Sequence, residues 1–307
     1  MNRTAASVAL TACAAFVSTA VAGPFQDWNL VVRNNLTITS EVDGSALIGG
    51  NVSGTSNYAV QGVTASNGAG LMVGGNIAAG TNVQINNGGD LYHAGSVFGN
   101  ANLNGGGSTF SDPTVSGTVS GVFSQANSLS SFLRDLAPTG TVDGAGNMNA
   151  ATTTVGSHNV AVYSMTQATI GGLGQLNLNM GSADLVVINF DASASGGAAN
   201  FAAPPNFVGG LNQANSSRIV WNFLNTTSLT VNNNFNGMIL ATMADLKLLG
   251  GGINGTVIVD NVSVMNAEIR RSTFGDFDLV VVPLPPAGWA GLTLLAGLAG
   301  VRAVRRR

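Results

Sequence analysis

The sequence predicts a mainly β protein, a β-solenoid (parallel β-helix) with one long amphipathic helix packed alongside; a β-sandwich is the alternative. Three observations predict it. Short apolar–polar alternations are separated by glycine and asparagine, a Gly-Gly-Asn motif recurs at near-constant spacing, and one stretch carries helical periodicity.

The repeat comes first. Ile48-Gly49-Gly50-Asn51-Val52 recurs as Val73-Gly74-Gly75-Asn76-Ile77 and more weakly as Val97-Phe98-Gly99-Asn100-Ala101, with Gly-Asn pairs 25 and then 24 residues apart. Asn236-Gly237-Met238-Ile239-Leu240 reappears as Asn254-Gly255-Thr256-Val257-Ile258 after 18 residues. Such intervals are the size of one solenoid coil. Leu176-Asn177-Leu178-Asn179-Met180, Leu229-Thr230-Val231, Leu246-Lys247-Leu248 and Val262-Ser263-Val264 alternate as brief strands with one buried face. Glycine and asparagine tolerate positive φ and suit the corners of a coil, where stacked asparagines would hydrogen-bond from one coil to the next.

The helix is expected over residues 121–136. Val122, Ala126, Leu129, Leu133 and Leu136 fall three or four apart, Phe123 and Phe132 widen the stripe, Ser120 suits the N-cap, and Pro138 ends the run. A lone helix with one apolar face must lie against the solenoid and bury its aromatic pair there.

Both termini read as targeting segments. Met1 to Ala22 combines Arg3, an apolar run, and small residues Ala20 and Ala22 ahead of Gly23, the pattern of a secretory signal removed by signal peptidase. Leu10-Thr11-Ala12-Cys13 leaves lipidation of Cys13 as the other outcome. Cleavage after Ala22 would remove the single cysteine, and with it any disulfide or thiol chemistry. At the far end, the apolar run Ala287–Val301 would reach roughly 22 Å as a helix, against a hydrocarbon core of ~30 Å. Arg302, Arg305, Arg306 and Arg307 favour the cytoplasmic side as a stop. Pro283, Pro285 and Pro286 hold the preceding stretch extended, as protease substrates are.

This tail, Val282-Pro283-Leu284-Pro285-Pro286-Ala287 with its apolar run and arginines, resembles the VPLPA variant of PEP-CTERM sorting signals, with an extra proline. The resemblance implies a Gram-negative envelope, transient inner-membrane insertion as a transmembrane segment, and an exosortase that cuts near the motif. An uncut stop-transfer anchor is the other reading. The expected organisation is therefore a signal peptide over 1–22, a body over 23–281 and a sorting signal over 282–307.

Within the body, Arg33, Arg134, Arg218, Lys247, Arg270 and Arg271 face all fourteen carboxylates of the chain, a net charge of about −8. That excludes nucleic acid and anionic membrane surfaces as partners. Catalytic constellations are missing. Glu41 and Asp43, and Asp276 and Asp278, could share strand faces, yet no basic or histidine partner is near in sequence, and such pairs are more often solvated edges. His93 and His158 lack a second ligand at metal spacing. Gly105 to Phe110 lacks the lysine of a phosphate loop. The segments Asp143–Asn147 and Asn86–Asp90 could hold calcium weakly but read as turns. Threonines form no file: Thr37 and Thr39 stand alone, Thr152 to Thr154 are contiguous, and Thr230, Thr242 and Thr256 are irregular. Of the aromatics that could stack on sugars, Trp28, Trp221, Tyr58, Tyr92 and Tyr163, the first choices for exposure are Tyr58 and Tyr92, while Trp221 reads as core.

The stretches "FQDWNLVVRNNLTITSEVDGSALIGGNV" and "FNGMILATMADLKLLGGGINGTVIVDNVSVMNAEI", with the helix between them, resemble the choice-of-anchor A domain, an adhesive module of bacterial surfaces. The latter half, "SRIVWNFLNTTSLTVNNNFNGMILATMADLKL", is also similar to the helix-flanked solenoid of secreted ice-binding proteins. Together these imply an exported structural or adhesive protein of the cell surface or biofilm matrix, with no enzymatic activity, cofactor or metal. Extracellular polysaccharide or a host or abiotic surface would be its partner. A carbohydrate-binding or ice-binding module is the alternative, and a polysaccharide-degrading β-helix enzyme the third.

Overall fold

The computed structural model describes residues 24–202, 205–272 and 274–275. After a short helix, α1 (Pro24–Asp27), the chain lays down β1 (Leu30–Val32), β2 (Leu36–Ile38), β3 (Ala46–Ile48), β4 (Val52–Tyr58) and β5 (Ala69–Val73). It continues with β6 (Asn82–Ile85), β7 (Asp90–His93), β8 (Asn100–Leu103) and β9 (Thr109–Ser111). Odd-numbered strands pair in parallel with odd, and even with even, so each coil contributes one rung to each of two faces. This is the coil expected from the repeat: Ile48 lies beside Val73, and Val52 beside Ile77.

The helix α2 (Val115–Arg134) then carries the chain back along the stack. Its buried residues Val115, Val119, Val122, Phe123, Ala126, Leu129 and Leu133 form one stripe. They pack on Val31, Leu47, Val162, Val187, Val220 and Leu240 of the sheet beneath, each large apolar side chain contributing about 1.5–3 kcal/mol of burial. The helix starts six residues before the expected Gly121, and Thr114, not Ser120, is the N-cap. Ser116, Gly117, Thr118 and Ser120 are weak helix formers, but Val115 and Val119 extend the apolar stripe, and packing overrides propensity. Phe123 is buried and Phe132 is only half-buried.

A second stack follows. It comprises β10 (Thr141–Val142), β11 (Asn147–Asn149), β12 (Thr152–Val155), β13 (His158–Thr166), a turn of helix α3 (Gln167–Ile170), β14 (Gln175–Asn179), β15 (Leu185–Asp191) and β16 (Ala198–Phe201). Next come β17 (Asn206–Gly209), β18 (Ile219–Leu224), β19 (Ser228–Val231), β20 (Asn234–Asn236), β21 (Met238–Leu248), β22 (Gly252–Asn254), β23 (Val257–Met265) and β24 (Ile269–Arg270). The expected alternating runs are β14, β19 and parts of β21 and β23.

The stacks do not follow one another as a simple rod. β23, near the end of the described chain, pairs in parallel with β1 at its start, Leu30 beside Val257. The helix-covered face therefore runs β12-β13-β15-β18-β21-β23-β1-β3-β5-β7-β9. β12 lies antiparallel on β13 and closes one end. A second face, which no helix among the described residues covers, runs β16-β19-β21-β23-β2-β4-β6-β8. The third holds the short sheets β10-β11-β14-β17 and β20-β22-β24. The architecture is a solenoid with one long helix alongside, and the sandwich alternative falls.

Expectations about membranes do not stand. No helix among the described residues is long and apolar enough to cross a membrane. The longest, α2, exposes Ser116, Ser120 and Ser124 along its outer side. The transmembrane assignment, transient inner-membrane insertion, and exosortase and signal peptidase as partners are thus without support. The residues that suggested them, Ala20, Ala22, Gly23, Val282, Pro283, Leu284, Pro285, Pro286, Arg305, Arg306 and Arg307, lie outside the described residues, as does Cys13.

Candidate binding faces

The corners set the shape of the faces. At one corner an asparagine ladder crosses both stacks. Asn261 Oδ1 accepts from Asn35 N (3.2 Å), Asn35 Oδ1 from Asn51 N (2.9 Å), Asn51 Oδ1 from Asn76 N (2.7 Å), and Asn76 Oδ1 from Ser96 N (2.7 Å). The third member of the Gly-Gly-Asn series is thus Gly95-Ser96-Val97, 20 residues after the second, and not Gly99-Asn100. The reason for glycine here is proximity more than φ. A Cβ on Gly75 would sit 2.5–2.6 Å from Gly50 C and Asn51 Oδ1, so coils meet backbone to backbone.

On the uncovered face, outward residues fall into files. Asn200, Thr230 and Lys247 are in register, and Thr37 Oγ1 lies 3.1 Å from Ser53 Oγ. Toward the first-stack end, Thr55, Asn82 and Asn100 form one file and Asn57, Gln84 and Asn102 another, with Asn102 Nδ2 donating to Asn82 Oδ1 at 3.0 Å. Inward positions between them, Val83, Ile85, Leu229, Val231, Leu246 and Leu248, are fully buried. The result is a sheet surface of amides and hydroxyls held by a rigid core. Thr242 and Thr256 are buried and take no part, and Thr152 to Thr154 lie on the antiparallel end strand.

Other predicted residues are placed as follows. Tyr58 is fully buried, contrary to expectation, and burial pushes its phenol well above the ordinary tyrosine range. Tyr92 is half-buried and stacks on Phe110 at 5.0 Å. Trp221 is core, as expected, and Trp28 and Tyr163 are buried too, so among the described residues no Trp or Tyr file faces out. His93 Nδ1 lies 2.7 Å from Gly95 O, and His158 Nε2 lies 3.4 Å from Ser157 Oγ. Asp143 is an Asx turn: its carboxylate accepts from Ala145 N, Asn147 N and Asn147 Nδ2, bonds that hold it below the usual carboxylate range. Asp90 Oδ1 accepts from Ser108 N on the next coil.

Carboxylates do cluster in one place. Burial, together with the nearby Asp43 and Glu41 charges, raises the Glu268 carboxyl against the pull of Arg270, whose Nε lies 2.8 Å from Glu268 Oε2. Asp43 is not a solvated edge. It is buried, and its Oδ2 accepts from Arg271 N at 3.0 Å, tying the last coil to the first. The pair Asp276 and Asp278 lies outside the described residues. No group of three His, Cys, Asp or Glu among the described residues could hold a metal ion.

Sequence reasoning missed two buried asparagines. Asn189 and Asn222 sit at equivalent places in "VVINFD" and "IVWNFL". Asn222 Nδ2 donates to Asn189 Oδ1 (2.8 Å), Asn189 Nδ2 to Leu133 O (2.8 Å), and Ser130 Oγ to Asn222 Oδ1 (2.6 Å), which pins the C-terminal end of α2 to the sheet. One polar residue inside each of two apolar runs was the available signal.

With this geometry in hand, the comparisons decide the family. A protein-family model described as "Putative Ice-binding-like adhesive domain" matches residues 21–271. The chain belongs to this family. A solved ice-binding protein from the Antarctic ascomycete Antarctomyces psychrotrophicus is similar at 15% identity, with 81% of this chain and 98% of that chain covered and a TM-score of 0.32. No curated protein matches the chain.

The ice-binding-like adhesive family corrects the assignment to choice-of-anchor A with a PEP-CTERM-type signal. The match covers all but the last few described residues and ends at 271. The stretches that suggested the other family are the rungs β1–β4 and β20–β24 with their corners. Their glycines, asparagines and alternation answer to coil geometry, which different solenoid families share. The protein is an extracellular, adhesive, ice-binding-like β-rich module.

Proposed function

We propose that the module adheres through its uncovered face, laying many weak contacts at once on an ordered polar surface such as extracellular polysaccharide. The observation that carries this reading is the contrast between faces: α2 seals one, while the other presents Asn200, Thr230, Lys247, Thr37, Ser53, Gln84 and Asn102 in files on buried strands. Donors and acceptors repeat at strand spacing, roughly 4.8 Å, so a periodic partner engages several rungs together, and multivalency converts weak contacts into retention. Residues 1–22, with their basic start and apolar run, support export, and with it a place on the cell surface or in an extracellular matrix.

Ice is the second reading. It is favoured by the family description and by the hydroxyls of Thr37, Thr55 and Thr230 on the same face.

The test is adsorption of the full chain to insoluble polysaccharide particles and, in parallel, to a growing ice surface. Thr37→Tyr with Thr230→Tyr should abolish flat contact and adsorption. Ser124→Tyr on the outer side of α2 should leave it intact. Equal loss from the helix variant, or no loss from the double variant on either material, would sink the assignment of this face.

A further inference from the structure

On the third face, two neighbouring coils fail to pair. β17 ends one sheet and β20 begins another, with no ladder between them. Side-chain amides substitute for it: Asn233 Nδ2 donates to Pro205 O at 3.4 Å, and Asn236 Nδ2 to Leu211 O at 3.0 Å. Backbone acceptors at the seam are thereby satisfied without closing it. What remains is a groove of about 610 Å³ lined in part by Asn206, Phe207, Asn212, Asn234, Asn254 and Arg270. That size falls among small-ligand clefts, roughly 300–1,000 Å³.

Three features define what would fit. The first is hydrogen-bond polarity. Asn254 Nδ2 donates to Asn236 Oδ1 at 2.8 Å, and Asn236 Nδ2 donates onward to Leu211 O, so the relay points inward. It leaves Asn254 Oδ1 without a donor on a residue only 5% exposed that lines the groove. A buried acceptor of this kind gains most from an incoming hydroxyl.

The second is charge. Among the described residues Arg270 is the single charged one lining the groove, and its Nε is already engaged by Glu268. A neutral ligand therefore meets no unpaired charge, whereas an acidic one would compete with Glu268. The third is the floor. Phe207 packs against Trp221 (5.3 Å) and Phe235 (5.0 Å), giving a fixed apolar patch among amides that both donate and accept. Hydroxyls on an apolar ring match that combination.

We infer that this groove binds a segment of neutral glycan at a defined site, separate from the uncovered face and independent of its adhesive role. Cellohexaose, maltohexaose and laminarihexaose titrated into the full chain by calorimetry provide the test. At least one should saturate with a Kd in the micromolar to millimolar range, and Asn254→Leu should weaken it about tenfold. Asn234→Ala, at an exposed lining position, should weaken it several-fold without touching the buried relay, so a folding failure of the first variant leaves the test intact. The Thr37→Tyr, Thr230→Tyr double variant should bind as the native chain does. No saturation by any of the three, tighter binding of oligogalacturonate, or unchanged binding in both groove variants would overturn the inference.

Discussion

The two stacks solve one problem by different means. In the first, from β1 to β9, coils are drawn together at the corners: glycines at 49, 50, 74, 75 and 95 let backbones touch, and asparagine side chains bond from coil to coil. Its interior is filled by aliphatic residues around Tyr58. In the second, from β13 to β23, Phe190, Phe201, Phe207, Trp221, Phe223 and Phe235 form a continuous aromatic cluster with centroids 4.7–6.4 Å apart. Its repeated glycines, Gly237 and Gly255, have φ of +119° and +157°. The first stack relies on its edges, whereas the second adds a large aromatic filling to glycine and asparagine corners of its own. The groove opens in the stack with the aromatic filling, beside Phe207.

Substitutions can break that contrast. The largest effect is expected from Trp221→Ala, which empties the centre of the aromatic cluster and costs about 3–5 kcal/mol, measured by denaturant unfolding. The first stack has no residue of equal weight. Alkaline pH should act next and on both stacks. Burial raises the phenols of Tyr58 and Tyr163, the latter to about 12. The folded state then keeps protons that the unfolded chain gives up near pH ~10, so stability holds below that pH and falls above it. The loss should approach ~1.4 kcal/mol per pH unit for each tyrosine. Tyr163→Phe should flatten the fall, and an unchanged profile would mean that the phenol is accessible.

Gly74→Ala should destabilise by about 1–3 kcal/mol, because its Cβ meets Gly49 O on the neighbouring coil. The same change at Gly144, where a Cβ meets nothing, should be near neutral. The smallest effect belongs to Asn51→Ala, roughly 0.5–1.5 kcal/mol, since water can replace its exposed bond to Asn76 N. A loss as large as that from Trp221→Ala would show that edges and filling matter equally, and would erase the distinction.

Residue order alone fixed the local chemistry of this protein. Ile48–Val52 against Val73–Ile77 gave coil, corner and ladder, because a motif that must meet its own copy has to recur at coil length. The stripe from Val122 to Leu133 gave the helix for an equally local reason. Coil order was decided only in three dimensions: that β23 docks on β1, 227 residues away at Leu30 and Val257, depends on matching two exposed edges that no periodicity links. Tertiary packing also turned Tyr58 and Asp43 inward, set Asn189 and Asn222 beneath α2, and parted β17 from β20. A repeat states what each rung resembles, whereas burial depends on which rung lies above it and which face the helix covers.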